Sequence, residues 1–210
     1  MKPYKRPFLI AITGGIASGK TTVSKWFENK DFKVYYADKI GHTFLNDKDI
    51  ILKLVERFGN KILSDNKIDR KKLGNIVFKS KEDLYFLNQL LHPKIRKETQ
   101  EIIDSSTEDY LIFEIPLLFE NRIEKAFDLT INISANKENQ IGRLKNNYGI
   151  TLKEIEQRIK AQMSDFDKQK LADININNNS TINDLYNKLE NLLPIIRKLK
   201  HKEVLRLTHI

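Results

Sequence analysis

Apolar positions along the 210-residue chain follow two periods, and the changes between them mark its elements. Apolar runs rich in β-branched and aromatic residues, at Phe8–Thr13, Phe32–Tyr36, Tyr110–Ile115, Leu129–Ile133 and Ile174–Ile176, read as short buried strands. Between them apolar residues recur every three or four positions. That spacing predicts helices over Lys20–Asn29, Lys39–Leu45, Lys48–Arg57, Arg70–Phe78, Lys81–Leu91, Pro93–Ser105, Lys137–Asn146, Leu152–Met163 and Ile182–Leu199. Strands alternating with helices imply an α/β fold with a mostly parallel sheet covered on both faces, its ligands beyond the carboxyl ends of the strands. Two stretches break the alternation. Residues 45–105 carry helices and no convincing strand, which suggests an inserted helical subdomain. Residues 140–171 are helical, polar and rich in Lys, Arg and Gln, which suits a cover over the site. The remainder, 7–44, 106–139 and 172–200, reads as the core of a single domain. The basic tail of 197–210 begins RKLKHKEVLR, read as a helical extension with a solvated cationic face or, alternatively, a binding patch.

The first strand hands over to the first helix through FLIAITGGIASGKTT, Phe8–Thr22, which contains the spacing GxxxxGK[ST] from Gly14 to Thr21. The chemistry explains that spacing. Gly14 and Gly19 let the backbone wrap an anion without Cβ clashes, so that successive N–H groups and the positive end of the following helix point at a β-phosphate. Lys20 adds a cation for the β- and γ-phosphate oxygens, and the Thr21 hydroxyl suits a Mg²⁺ ion bound with the nucleotide.

A phosphate loop does not name a reaction, so neighbouring residues must. Asp38 follows the second strand at the same sheet edge. A carboxylate there either orients an attacking hydroxyl or caps the helix that begins at Lys39. Glu114 ends the strand at Tyr110–Ile115, where a carboxylate reaches the metal shell through water. The following PLLFE offers Leu117, Leu118 and Phe119 beside Glu120, either as a platform for a base or ribose or as core packing. His92 and Pro93 read as a turn between two helices, Pro being suited to a first helical position, and Arg96 as either a surface cation or an anion contact.

Composition narrows the field. Hydrophobic content of 40% with regular periodicity supports a packed core, and no apolar run is long enough to span a membrane. The chain has no cysteine, which removes disulfides and thiolate chemistry and fits a cytoplasmic location. A net charge of +9 attracts nucleic acid, anionic lipid and phosphorylated small molecules alike, and alone selects none.

Taken in chain order, TGGIASGKTT, YYAD, LLHPKIR, IPLLFE, RIKAQ and KLAD with its following INN resemble the dephospho-coenzyme A kinase family over about residues 8–193. The first motif is shared by many nucleotide-binding proteins, whereas LHPxIR and PLLFE are quite specific. The resemblance implies a P-loop NTPase fold of nucleoside-monophosphate-kinase type, a parallel sheet flanked by helices with a helical substrate insertion and a helical lid. It also implies transfer of the ATP γ-phosphate to the 3′-hydroxyl of dephospho-coenzyme A, the last step of coenzyme A synthesis. ATP and Mg²⁺ are the implied cofactors and dephospho-coenzyme A the partner, with no nucleic acid or membrane, in a monomer or weak homo-oligomer. In that frame Asp38, Lys20 and Arg143 are catalytic, Asp38 as base or orienting carboxylate. Gly15, Ala17, Ser18, Gly19, Lys20, Thr21, Thr22 and Asn178 bind ATP, Asn178 near the adenine. Asp38, His92, Arg96, Leu117, Leu118, Glu120 and Arg158 hold the acceptor, Arg158 from the lid with Arg143 and Gln162, while Thr21 and Glu114 serve the metal.

The chain departs from the family pattern at Ala17, where glycine is frequent, at Glu114, where aspartate is usual, and at Asn147, where a lid arginine is usual. Alanine at 17 is a mild change if its φ is negative. Asparagine supplies no cation, and Arg143 or Lys145 is the expected replacement. Competing readings are a kinase of another small alcohol, which has no particular need of LHPKIR or PLLFE, and a nucleotide-dependent RNA-binding or switch protein, against which stands the absence of an NKxD motif followed by SAK.

Overall fold

A computed structural model describes residues 6–148, 159–160 and 162–210. Its centre is β1 (Phe8–Gly14), every residue of which is buried. β1 pairs in parallel with β5 (Tyr110–Glu114) on one side and β6 (Leu129–Ser134) on the other, and β2 (Lys33–Tyr36) and β7 (Ile174–Asn177) complete a parallel sheet ordered β2-β5-β1-β6-β7. Side chains alternate across such a sheet and both faces of β1 are covered, which is why β1 reads as an apolar run, whereas β6 and β7 interleave Thr130, Asn132 and Asn175. Phe8, Ile10 and Ile12 enter one core with Val23 and Phe27 of α1 (Lys20–Glu28). Leu9 and Ala11 enter the other with Leu111, Phe113 and Phe127. Because the chain leaves β1 toward opposite sides to build β5 and β6, a crevice opens at its carboxyl end, where the strand order reverses.

Residues 45–105 form a third, smaller apolar core. Helices α2 (Ala37–Phe44), α3 (Lys48–Phe58) and α4 (Arg70–Val77) lead into α5 (Lys81–Ser105), and Leu45, Ile50, Leu54, Phe58, Leu73 and Val77 pack against Leu84, Leu87 and Leu91. Asp47 and Asp69 cap α3 and α4, each accepting two backbone N–H groups. The expectation of no strand here is corrected by a small antiparallel hairpin, β3 (Leu63–Ser64) with β4 (Lys67–Ile68), closed by Asp65 and Asn66 at positive φ.

Two further readings are corrected. His92 and Pro93 do not form a turn, since α5 runs unbroken through them. Proline there forfeits one helical hydrogen bond, to the carbonyl of Gln89. Apolar packing on both sides outweighs that loss: Leu84–Leu91 press on the small core, Ile95 meets Gly41 of α2, and Ile103 reaches the main core. The tail is not a solvated helix either. After α6 (Lys137–Tyr148), α7 (Asp165–Leu171) and α8 (Ile182–Ile196), the chain runs irregularly back across the molecule to a 3-10 turn at Leu207–His209. Leu207 is buried, Lys202 pairs with Asp173, and Arg206 pairs with Asp104. These two cations of the tail bind carboxylates remote in sequence, which helical periodicity cannot reveal.

Candidate active site

The phosphate loop joins β1 to α1, and its glycines are dictated by contact. A Cβ on Gly14 would lie 2.1 Å from the Ile133 carbonyl oxygen, and one on Gly19, at φ 104°, would lie 2.1 Å from Asn178 Nδ2. Ala17 sits at φ 55°, so the condition for a mild substitution, a negative φ, is not met. Left-handed backbone costs an alanine about 1 kcal/mol. The strain persists because the loop carbonyls are tied from outside: Arg143 donates to Ala17 O at 3.1 Å, Ser18 O at 3.2 Å and Asn178 O at 2.8 Å, and Asn178 Nδ2 donates to Ser18 O at 2.7 Å. Carbonyls held outward leave the loop N–H groups facing inward, toward an anion.

Lys20 is buried and donates to Gly14 O at 3.0 Å and Gly15 O at 2.8 Å. Burial lowers its pKa to about 8, against the pull of Glu114. Thr21 donates to Glu114 Oε1 at 2.9 Å, while Glu114 Oε2 is buried with no hydrogen-bond partner, as is Ser18 Oγ. A hydroxyl and a carboxylate with an unused buried oxygen are hard oxygen donors, and beside an anion cradle they suit Mg²⁺ held jointly with phosphates. Among the described residues no cluster of three or more carboxylates or imidazoles could hold a metal ion.

Two cavities meet at Asp38. One, of about 560 Å³, is lined by Ala17, Gly19, Lys20, Thr21, Thr22, Glu114, Arg143, Gln162 and Asn178. The other, of about 340 Å³, is walled by Leu73, Val77, Leu87, Leu91, Ile95 and Leu117 and carries His42, Arg70, His92 and Arg96 as its basic groups. Asp38 lines both. It is not a helix cap, because Tyr36 holds that position and makes no side-chain cap bond. Its side chain is exposed within the two cavities, with protein on their walls. Withdrawal from bulk water raises its pKa, and His42 and Lys20 draw it part of the way back. His92 is pushed down, by burial and then by Arg96, and stays neutral.

The expected acceptor residues divide. His92, Arg96 and Leu117 line the apolar cavity, but Leu118 does not: it is fully buried in the core with Phe119, because the turn after Pro116 points only Leu117 outward. Glu120 is turned away as well, paired at 2.9 Å with the fully buried Lys168 of α7 and accepting Met163 N at 2.8 Å. Lys168 also donates to Pro116 O at 2.8 Å. Arg158 and the Asn147 side chain lie outside the described residues. Sequence reasoning passed over Lys168 and Gln140, whose Nε2 donates to Ile16 O at 3.0 Å. A lysine and a glutamine in polar helices carry no signal of burial. It also passed over His42, which its spacing from Asp38 could have revealed.

No helix among the described residues is long and apolar enough to cross a membrane. The family model for dephospho-CoA kinase matches residues 8–184. A dephospho-CoA kinase of Fusobacterium nucleatum is 43% identical over 183 residues, covering 87% of this chain and 95% of that one. Among solved structures, a dephospho-CoA kinase from Campylobacter jejuni is similar at a TM-score of 0.59 and 31% identity, covering 90% of this chain and 96% of that one. A Thermus thermophilus protein is similar at a TM-score of 0.78 and 28% identity, covering 91% and 98%. With a P-loop kinase fold and a match spanning the sheet and the helical segment, this chain belongs to the dephospho-CoA kinase family.

Proposed function

We propose that this chain carries out the reaction of its family, transfer of the ATP γ-phosphoryl group to the 3′-hydroxyl of dephospho-coenzyme A, with Asp38 as the carboxylate that orients and deprotonates that hydroxyl. The observation that carries the assignment is the place of Asp38 at the junction of the phosphate-loop cavity and the apolar cavity. ATP lies in the first, its phosphates on the loop amides and Lys20 and its base toward Asn178. The acceptor lies in the second, its apolar parts against Leu87, Leu91 and Leu117 and its phosphates near Arg96. Thr21 and Glu114 would hold Mg²⁺, which when bound neutralises charge on the phosphate oxygens. Residues 45–105 form the acceptor insertion and 140–171 the lid.

Phosphoryl transfer asks the protein chiefly for positioning and for exclusion of water. Asp38 accepts the hydroxyl proton at its carboxylate. Lys20 exchanges its two loop carbonyls for phosphate oxygens, whose negative charge offsets the cost of burying its ammonium. The test is acceptor-dependent ADP release with dephospho-coenzyme A, adenosine, AMP and no acceptor, the product located by phosphorus NMR. A new 3′-phosphate with slow turnover in the absence of acceptor is the expected result. Turnover with another alcohol alone would replace the substrate, and fast ATP hydrolysis without acceptor would remove the lid.

Arg143 is the proposed source of the cation that Asn147 does not supply. Arg143→Ala is expected to lower turnover more than about tenfold. Its three carbonyl contacts add a structural role, so a loss of about 1–2 kcal/mol of stability should accompany it. Steady-state kinetics with thermal melts checks both, and unchanged turnover would transfer the role to Lys145.

A further inference from the structure

Helix α2 presents a second polar side chain to the cavity assigned to the acceptor. His42 lies four residues beyond Asp38, the spacing that brings side chains together on one helix face, and both line the cavity of about 340 Å³. His42 Nδ1 is 2.9 Å from Nη1 of Arg70, the first residue of α4. A guanidinium has donors only and does not deprotonate. Nδ1 must therefore supply a lone pair, which fixes the single ring proton of the neutral imidazole at Nε2. Burial, then the charge of Arg70, holds the His42 pKa below its ordinary value, while Asp38 acts in the opposite sense, so the ring is neutral at neutral pH. His42 makes no other side-chain hydrogen bond among the described residues.

One helix face thus offers a carboxylate that only accepts and an imidazole N–H that only donates, both in one cavity. An isolated alcohol uses the carboxylate alone. Two hydroxyls on adjacent carbons use both, and side chains four apart on a helix, with Cβ atoms about 5–6 Å apart, can each reach one of them. We propose that His42, set in its Nε2–H tautomer by Arg70, is a specificity-determining residue that binds the ribose 2′-hydroxyl next to the 3′-hydroxyl held by Asp38. The site then selects a vicinal diol over a lone alcohol. Arg70 acts through His42 as a positioning residue and ties the helical insertion to the catalytic helix. The proposal rests on the assignment of Asp38 to the acceptor hydroxyl.

The test measures kcat/KM for dephospho-coenzyme A and its 2′-deoxy counterpart in the wild type, His42→Asn and His42→Gln, with the KM for ATP as the measure of an intact fold. The wild type should prefer the ribose acceptor by about tenfold or more, carried mainly in the acceptor KM. His42→Asn keeps an oxygen for Arg70 but has no donor at the ε position, and should treat the two acceptors alike. His42→Gln restores a donor there and should recover part of the preference. A merely structural histidine predicts a different pattern, with equal losses on both acceptors. Indifference of the wild type to the 2′-hydroxyl, or an undiminished preference in His42→Asn, would overturn the proposal. Failure of the wild type with both acceptors would instead overturn the underlying acceptor assignment, and this proposal with it.

Discussion

Asp38→Asn is expected to lower turnover by about 10² to 10⁴-fold, the range for loss of a positioned general base, while leaving the fold intact. The two halves have one cause. Withdrawal from bulk water raises the Asp38 pKa, with His42 and Lys20 opposing. A carboxylate raised in the folded state above its unfolded value of about 3.9 is disfavoured as an ion by the fold, so at neutral pH its charge subtracts from stability. Asparagine removes that charge, and the variant should melt at the same temperature or higher. The wild type should lose activity as pH falls through the raised value, because the protonated acid cannot accept the hydroxyl proton. Turnover against pH, with a melting curve of each protein, checks the set. Near-normal turnover in the variant would remove the general-base role.

The second large effect concerns stability and lies far from the chemistry. Asp128 is buried just before β6 and accepts four groups: Leu9 N at 2.8 Å, Lys202 N at 2.6 Å and both terminal nitrogens of Arg6. Burial opposes its ionisation, but the bonds from Arg6, Leu9 and Lys202 outweigh it and hold the pKa below the ordinary carboxylate range. Asp128→Ala leaves two backbone donors without their acceptor and takes the counter-ion from Arg6, which keeps the Pro7 and Lys202 carbonyls, and is expected to cost about 3 kcal/mol. The sign with pH follows from the direction of the shift. The stabilisation is complete above the unfolded carboxylate value of about 3.9 and is lost as pH falls through the lower, folded one. Urea unfolding of wild type and variant between neutral pH and pH 3 measures it. The gap should be constant near neutrality and narrow in acid, and a gap below about 1 kcal/mol at neutral pH would show that the four contacts contribute little.

The strands were legible because apolar, mostly β-branched or aromatic residues dominate each, without interruption in the first five residues of β1 and alternating with Thr and Asn in β6 and β7, and their ends fall within about one residue of expectation. The phosphate loop and the place of Asp38 at the sheet edge were legible because both follow from spacing along the chain. What escaped depends on contacts across it. Pro93 marks a helix start in local terms and loses to packing at Leu91 and Ile95. Leu118 and Glu120 follow a turn whose inward side no local pattern specifies, so two acceptor candidates became a core leucine and half of an ion pair with Lys168. The left-handed φ of Ala17 is imposed by Arg143 and Asn178, more than a hundred residues away.

The return of the tail across the molecule bears on how the protein is made. Arg6, at the entry to the central strand, is joined through Asp128 to Lys202, and His201 lies at 3.0 Å from the Arg6 carbonyl and edge-on to Phe8. The central strand is thus sealed by a segment that follows it only after the whole intervening fold. Until residues 201–207 emerge, the Asp128 carboxylate lacks one of its donors and the space under Leu207 is open to water. A nascent chain that has already assembled its sheet must wait in that unsealed state, and translation, rather than the intrinsic speed of strand pairing, sets when the native shell closes.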